Sequence, residues 1–263
     1  MKIIVSHDVD HLFWSDHFFK DLFIPKLWYR SLRLAFTGAL SFSDAFSRMN
    51  FWKENRMNRI SELMAFEESR NISATYFFVM RPGLGVAYPF KSSIKFIEDV
   101  LAKGHNVGVH GMEYRNEAAM MEEFNRFQSI AHQDKVGVRM HYLRNDETTF
   151  KKLAGVGYSF DSTQYGIQEP YKISGMVEFP ISVMDVYCVQ LRHRSVDAAK
   201  EHTLDQLSRA EKNEQPYFVI NFHDIYYQPA YKLYKEWFEW LIDLCIQRGY
   251  EFTSFNKEVG LWI

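Results

Sequence analysis

The chain alternates short apolar runs that stop abruptly at polar residues with longer amphipathic stretches, and this rhythm constrains its fold more than any other feature. Ile3 to Val5 stops at Ser6-His7-Asp8, and Ala74-Thr75-Tyr76-Phe77-Phe78-Val79 follows Asn71. Val107-Gly108-Val109 stops at His110, and Val136-Gly137-Val138 stops at Arg139. Later, Phe179-Pro180-Ile181 leads to Asp185, and the run from Tyr217 to Phe222 ends at His223-Asp224. Runs of this length and composition predict strands, and the stretches at about 52–69, 91–103, 117–133, 148–156, 198–213 and 230–248 predict helices between them. Such βα units demand a mainly parallel sheet. The chain shows no internal repeat, low-complexity tract or Pro/Gly/Ser-rich linker, so its 263 residues are expected to form one α/β barrel-like domain over 1–263.

Residues 11–50 break that rhythm. The segment from His17-Phe18-Phe19-Lys20 to Leu32-Arg33-Leu34-Ala35-Phe36 is aromatic and moderately basic. Four readings stay open: a helix packed against the barrel, a lid over its mouth, a dimer surface, or an interfacial membrane segment.

The unusual polar residues fall just past the C-terminal ends of the predicted strands, where βα loops converge in barrels and open α/β sheets. Asp8, Asp10, His110, Arg139, His141, Asp161, Asp185 and His223 can therefore meet in one pocket. Asp8 and Asp10 stand at i and i+2 on a strand and share a face. Two crowded carboxylates repel unless a cation or a proton intervenes. A divalent metal resolves this, with one carboxylate ligating and the other free as a base; the competing reading is that one of them caps a turn. His110 adds an imidazole nitrogen, and nitrogen beside carboxylate oxygen is a common shell for zinc and its neighbours. His223 is placed to act as a general acid. Tyr114, Tyr142 and Tyr165 lie near strand ends and can stack on a sugar or on another flat substrate. Asp161 and Asp185 are further candidates for substrate contact. His17, His132, His193 and His202 fall in polar or helical settings and are expected to face solvent.

Composition narrows the function classes. With 47% hydrophobic and 24% charged residues the chain is an ordinary globular protein, and a net charge of -2 gives no basic surplus for nucleic acid. Aromatic residues reach 17%, which implies an aromatic-rich core, a ligand groove or an association surface. Cys188 and Cys245 lack CxxC spacing, so neither a disulfide framework nor a structural zinc site is expected. The N-terminus reads as a strand running straight into the acidic motif, without the regions of a signal peptide. No run approaches the ~20 apolar residues of a transmembrane helix. A cytoplasmic enzyme is the resulting expectation, with its oligomeric state open.

Several motifs together resemble the polysaccharide deacetylase, or NodB-homology, family of carbohydrate esterases over most of the chain. Ser6-His7-Asp8-Val9-Asp10 stands where that family has Thr-Phe-Asp-Asp-Gly, and Ala74 to Val79 resembles its Ala-Thr-Phe-Phe-Val strand. Gly104-His105-Asn106-Val107-Gly108-Val109-His110 is similar to Gly-His-Glu-Ile-Gly-Asn-His, and Arg139-Met140-His141-Tyr142 parallels Arg-x-Pro-Tyr. Gly157-Tyr158-Ser159-Phe160-Asp161-Ser162 resembles Gly-Tyr-x-x-Asp-Ser, and Asn221-Phe222-His223 matches Leu-x-His with Asn for Leu. Each is weak alone; six in the same order are specific.

The resemblance implies a distorted (β/α)7 barrel that binds one divalent metal, zinc first and Co2+, Mn2+ or Ni2+ as alternatives, and removes an N-acetyl or related acyl group from an amino sugar. It implies Asp8 as base, Asp10 and His110 as metal ligands, and His223 as the acid for the leaving amine. Arg139 would orient Asp8, with a backbone N–H near Tyr142 at the oxyanion. The family's second metal histidine falls at Tyr114 here, a poor ligand when neutral. His141 is the proposed substitute, with Asp185 or a water as alternatives. The substrate expected is a carbohydrate, or a nucleotide- or lipid-linked glycan intermediate met at a membrane surface. Two other readings remain: hydrolysis of a different non-peptide C–N bond on the same barrel, and a metal-free, non-catalytic glycan-binding homologue.

Overall fold

Residues 1–17, 22–36, 40–50, 54–191, 195–228 and 231–262 are described by a computed structural model. The first strand, β1 (Lys2–Val9), runs through the middle of the sheet, and its period-two alternation sorts the molecule into two environments. Ile3, Val5 and Val9 point outward into the core beneath the helices, whereas Ile4 points into the barrel. Ser6 and Asp8 follow Ile4 on the inner face.

One edge of β1 pairs with β9 (Tyr217–Asn221). Its other edge takes β10 (Glu251–Thr253) along the first half and β2 (Thr75–Val79) along the second. The sheet continues in parallel through β3 (Asn106–Gly111), β4 (Gly137–Met140), β5 (Phe160–Asp161) and β7 (Met176–Glu178), and β6 (Tyr171–Ile173) closes that end antiparallel to β7. On the far side β8 (Val183–Met184) follows β9. The curled, mostly parallel sheet forms a half-barrel, the distorted α/β barrel expected from the sequence.

Helices cover the outer face. After the hairpin of α1 (Phe23–Phe36) and α2 (Phe42–Asn50) come α3 (Ile60–Glu68), α4 (Phe90–Ala102), α5 (Glu117–Ala131), α6 (Thr149–Val156), α7 (Val196–Lys212) and α8 (Lys232–Gln247). The starts are set by caps: Asn116 and Ser195 accept the backbone N–H of Ala119 and Ala198, three residues on. Gly157, at φ +116°, ends α6 in a left-handed turn that a side chain would strain. Among the described residues no helix is long and apolar enough to cross a membrane.

Inside the barrel, Ile4, Phe77, Phe160, Val177, Phe179, Tyr217, Val219, Phe255 and Val259 form a separate core. Gly108 and Gly137 make room for it: a Cβ on them would sit 2.7 Å from the Phe77 ring and 2.0 Å from the Phe160 ring. Much of the aromatic surplus is therefore interior packing rather than a ligand groove.

Three expectations need correction. Phe179-Pro180-Ile181 is a connection between β7 and β8, not a strand; Pro180 has no N–H for a ladder. The first helix after the hairpin begins at Ile60, because Asn55 takes a left-handed φ of 51° and Asn58 is spent on the Leu12 carbonyl; residues 51–53 lie outside the described residues. His17 is buried against His11, not solvent-facing. His132 is exposed and His202 half-buried, while His193 lies outside the described residues.

Candidate active site and metal centre

The inner faces of β1, β3, β4 and β9 stack polar residues above the aromatic floor. Arg139 forms the first layer. It is fully buried, its guanidinium lies over the Phe77 ring at 4.5 Å, and each of its five N–H groups has an acceptor. Nε donates to the Ser162 carbonyl (2.9 Å), Nη1 to Asp8 Oδ1 (3.0 Å) and Asn221 Oδ1 (2.8 Å), and Nη2 to Ser6 Oγ (2.9 Å) and Ser162 Oγ (2.8 Å).

Asp8 sits directly above. Its second oxygen accepts from Asn221 Nδ2 at 2.8 Å, so both oxygens are held. Burial alone would raise the Asp8 pKa, but the Arg139 charge, with His110 and His223 beside it, holds it down at about 2.

At the rim, Asp10, His110 and His141 converge. Asp10 Oδ1 lies 3.2 Å from His110 Nε2 and 3.3 Å from His141 Nδ1, and the two nitrogens are 3.0 Å apart. The other ring nitrogens face backbone carbonyls, His110 Nδ1 that of Arg139 (3.0 Å) and His141 Nε2 that of Leu84 (3.2 Å). A carbonyl only accepts, so those nitrogens carry the protons, and in the neutral rings His110 Nε2 and His141 Nδ1 are lone pairs turned on each other and on a carboxylate. Asp10 Oδ1 is buried with no hydrogen-bond donor. Such an arrangement calls for a shared positive charge, a metal ion or a proton. Burial would raise Asp10 and lower His141; their attraction instead pushes Asp10 well down and His141 up.

These residues fit a divalent metal. The spacings of 3.0 to 3.3 Å approach the ~3.3 Å edge of a tetrahedron with bonds of about 2.0–2.1 Å, and two imidazoles with a carboxylate are an ordinary zinc donor set. The carbonyls behind both rings supply the outer hydrogen bonds that orient metal-binding histidines. Asp10 and His223 keep 13% and 15% of their side chains exposed, which places the opening of the site between them.

His223 completes the rim. Its Nδ1 donates to Asp185 Oδ1 at 2.9 Å, its backbone N–H is held by the same carboxylate, and Nε2 points toward Asp8 Oδ2 (3.9 Å) and Asp10 Oδ2 (3.8 Å). Burial would lower its pKa, yet Asp185 above all lifts it to about 10, so His223 is a cation at neutral pH. Asp185 is itself fully buried and acts on His223 rather than at the opening.

Tyr142 is 71% exposed and its ring lies 4.1 Å from that of His141, an open aromatic face at the rim. Tyr142 and Leu143 both take left-handed φ values, 57° and 53°, a strained turn that swings His141 back over the sheet edge. Two candidates are engaged in other contacts. The Tyr114 ring packs between the Arg115 and Arg144 guanidiniums, at 4.7 and 5.1 Å. Asp161 is fully buried on the outer face, in register with Glu178, because its neighbour Phe160 takes the inner position. Burial raises both carboxyls, the Asp161 charge raises Glu178 further, and Thr163 Oγ1 donates to Asp161 at 2.5 Å.

Sequence reasoning missed Ser6, Ser162, Asn221 and the buried Asp224, whose pKa burial lifts to about 8 although the Arg59 N–H bonds to it. Asn221 did leave a signal: an amide in an otherwise apolar strand, two residues before His223.

No protein-family model matches the sequence, and no curated protein matches it. Solved structures do. A protein described as a polysaccharide deacetylase from Mycobacterium smegmatis aligns with a TM-score of 0.65 at 16% identity, over 98% of this chain and 88% of that one. A peptidoglycan N-acetylglucosamine deacetylase aligns at 0.51 and 13% identity, over 97% and 86%. A GH57 branching enzyme from Thermococcus kodakaraensis aligns at 0.55 and 13%, over 98% and 70%. The chain therefore has the polysaccharide deacetylase fold, and that fold also carries other carbohydrate chemistry.

Proposed function

We propose that the protein is a metal-dependent hydrolase that removes an N-acetyl or related acyl group from an amino sugar, free or within a lipid- or nucleotide-linked glycan intermediate. The observation that carries this reading is the convergence of Asp10, His110 and His141 with their lone pairs facing one point. Asp10 Oδ1, His110 Nε2 and His141 Nδ1 would hold one divalent cation; zinc suits the donor set best, and Co2+, Mn2+ or Ni2+ would accept it. Such a cation supplies Lewis acidity, polarising an amide carbonyl and bringing the pKa of water toward neutrality.

The remaining work falls to this chain's own groups. Asp8 stays ionised at every working pH and accepts the proton of the attacking water, while Arg139 and Asn221 each fix one of its oxygens. A carboxylate with so low a pKa is a weak base, so Asp8 suits a water whose own pKa has been brought down. His223, protonated through Asp185, presents Nε2–H to the departing amine nitrogen, which leaves as the free amino sugar beside a carboxylate product. Tyr142 offers its exposed ring to the sugar. The fold is shared with glycosidic chemistry, but glycoside hydrolysis rests on a pair of carboxyl groups that act on the substrate. Here Asp8 is the one carboxylate of the two left to act as a base, because Asp10 stands with His110 and His141.

Metal content by mass spectrometry and acetate release from N-acetylglucosamine oligomers test the reading together. After zinc or cobalt loading, wild-type protein should hold about one ion per chain and release acetate. His110→Ala and His141→Ala should lose the ion, and Asp8→Asn should keep it while losing about 10²–10⁴-fold in turnover. Wild-type protein with no stoichiometric metal and no acetate release after loading would overturn the assignment. Retention of metal by Asp10→Asn but not by Asp8→Asn would exchange the roles of the two carboxylates.

A further inference from the structure

We propose that the hairpin of α1 and α2 is a membrane-docking element that seats the protein on a bilayer with anionic headgroups, independently of the reaction catalysed at the rim. Of the twelve large hydrophobic side chains that stand exposed among the described residues, seven belong to this hairpin and its entry: Leu22, Trp28, Tyr29, Leu32, Phe36, Phe42 and Phe46. Among the other described residues Tyr142 is the one aromatic that stands exposed, so the concentration is local.

Helix α1 has three faces. Leu27, Ser31 and Ala35, at spacings of four, are buried against the body. Trp28, Tyr29, Leu32 and Phe36 form an exposed apolar stripe on the adjacent face, following the helical period. Lys26, Arg30 and Arg33 are exposed together on the remaining face, beside that stripe. The Phe36 and Phe42 rings meet at 5.7 Å, and Trp28 Nε1 donates to the Met49 carbonyl at 3.2 Å, so the apolar stripe runs on into α2. From Leu22 to Asn50 the sequence carries Lys26, Arg30, Arg33 and Arg48 against Asp44 alone, in a chain whose net charge is -2. An apolar stripe flanked by cations is what a helix lying in the interface of an anionic bilayer requires.

The occupant follows from that charge. A second copy docked on the same face by two-fold symmetry would set Lys26, Arg30 and Arg33 against their own counterparts. A neutral glycan would bring no charge to meet the excess of cations over acids along the hairpin. Acidic headgroups serve both the cations and the apolar stripe, with Trp and Tyr at the depth they favour.

The hairpin also stands on the same edge of the sheet as the candidate site. Leu27 packs with Trp14, Met57 and Ile225, the last only two residues beyond His223. The Arg48 guanidinium lies 4.7 Å over the Tyr231 ring, Tyr231 meets Tyr226 at 5.1 Å, and Tyr226 lies 5.8 Å from the His223 ring. A bilayer on the hairpin is thereby set beside the edge that carries the rim.

Flotation of the full-length protein with vesicles tests this directly, comparing pure phosphatidylcholine with vesicles one-third phosphatidylglycerol. Wild-type protein should float with the anionic vesicles, less so as salt is raised. Arg30→Gln with Arg33→Gln should weaken binding about 30-fold, at roughly fivefold for each cation near an anionic surface. Phe36→Ser with Phe46→Ser should abolish it without changing thermal unfolding, since both side chains are exposed. The proposal fails if wild-type protein shows no preference for anionic vesicles, or if both double variants bind as it does. It also fails if the wild type forms a concentration-dependent dimer that Phe36→Ser with Phe46→Ser dissolves, which would make the surface a contact between copies.

Discussion

Arg139→Met removes the guanidinium while keeping much of its bulk, and the structure says what that strands. Ser6 Oγ and Ser162 Oγ remain satisfied, because they donate to the Ile220 and Phe179 carbonyls. Asn221 Oδ1 and the Ser162 carbonyl lose a buried donor, and Asp8, 2% exposed, loses its counter-ion. Breaking one side of a buried, hydrogen-bonded ion pair typically costs about 3–5 kcal/mol, a large part of the ~5–15 kcal/mol of a whole domain. Urea unfolding at neutral pH, with chelator present so that bound metal adds nothing, should show a loss in that range. Arg139→Lys should fall between, since an ammonium keeps the charge but cannot reach five acceptors from one plane. The sign with pH is fixed. The Asp8 pKa is depressed, so its stabilisation is complete above the ordinary value of 3.8 and is lost as pH falls through about 2. That depression is worth roughly 2 kcal/mol at 1.36 kcal/mol per pH unit. Without Arg139, burial dominates and Asp8 takes up a proton readily, so the gap between variant and wild type should narrow by about that amount between pH 5 and 2. A loss under about 1 kcal/mol at neutral pH, or a gap that does not change with pH, would refute the account of Arg139 as the buried partner of Asp8.

The Asp161–Glu178 pair gives the opposite slope: both pKa values are raised, so the folded chain holds a proton that the unfolded chain releases above the ordinary carboxylate range. Thermal stability should therefore decline from about pH 5 to 8, and Asp161→Asn should flatten the decline; an equal slope in the variant would mean the carboxyls do not share a proton. Gly137→Ala would drive a methyl to within 2.0 Å of the Phe160 ring. It should destabilise by about 1–3 kcal/mol, with Phe160→Leu recovering part in the double variant, and a neutral single variant would show that the ring does not fill that space.

Strand parity accounts both for what the sequence disclosed about the site and for where it misled. Ser6, Asp8 and Asp10 share an inner register with Ile4; Gly108 with His110, and Gly137 with Arg139, repeat it on their strands. The rule that polar residues past strand ends converge was enough to collect them. The same rule also collected Asp161, which one step of parity turns outward, and β5 is two residues long, too short for alternation to reveal its facing. Helices were legible because their apolar faces meet the sheet. The hairpin was not, because α1 carries two apolar faces and periodicity does not say which of them is buried.

At the third corner of the candidate metal centre, motif and residue disagree. Tyr114 stands where a second histidine was expected, and His141 and Asp185 were the candidates to replace it. The structure brings His141 to 3.3 Å from Asp10 and gives Asp185 to His223. The reason is geometric. His141 follows β4 immediately, on the same inner parity as Arg139, so it rises beside His110 on the adjacent strand. Holding it there requires the chain to turn back at once, which Tyr142 and Leu143 do at positive φ, at about 1–2 kcal/mol for each non-glycine residue so placed. The Leu84 carbonyl then fixes the ring by its far nitrogen. Strain kept at two successive residues leaves the Tyr142 side chain 71% exposed, so the turn serves the placement of His141 and not the burial of Tyr142. The turn makes sense as the means by which a chain without the usual second histidine still presents a third donor.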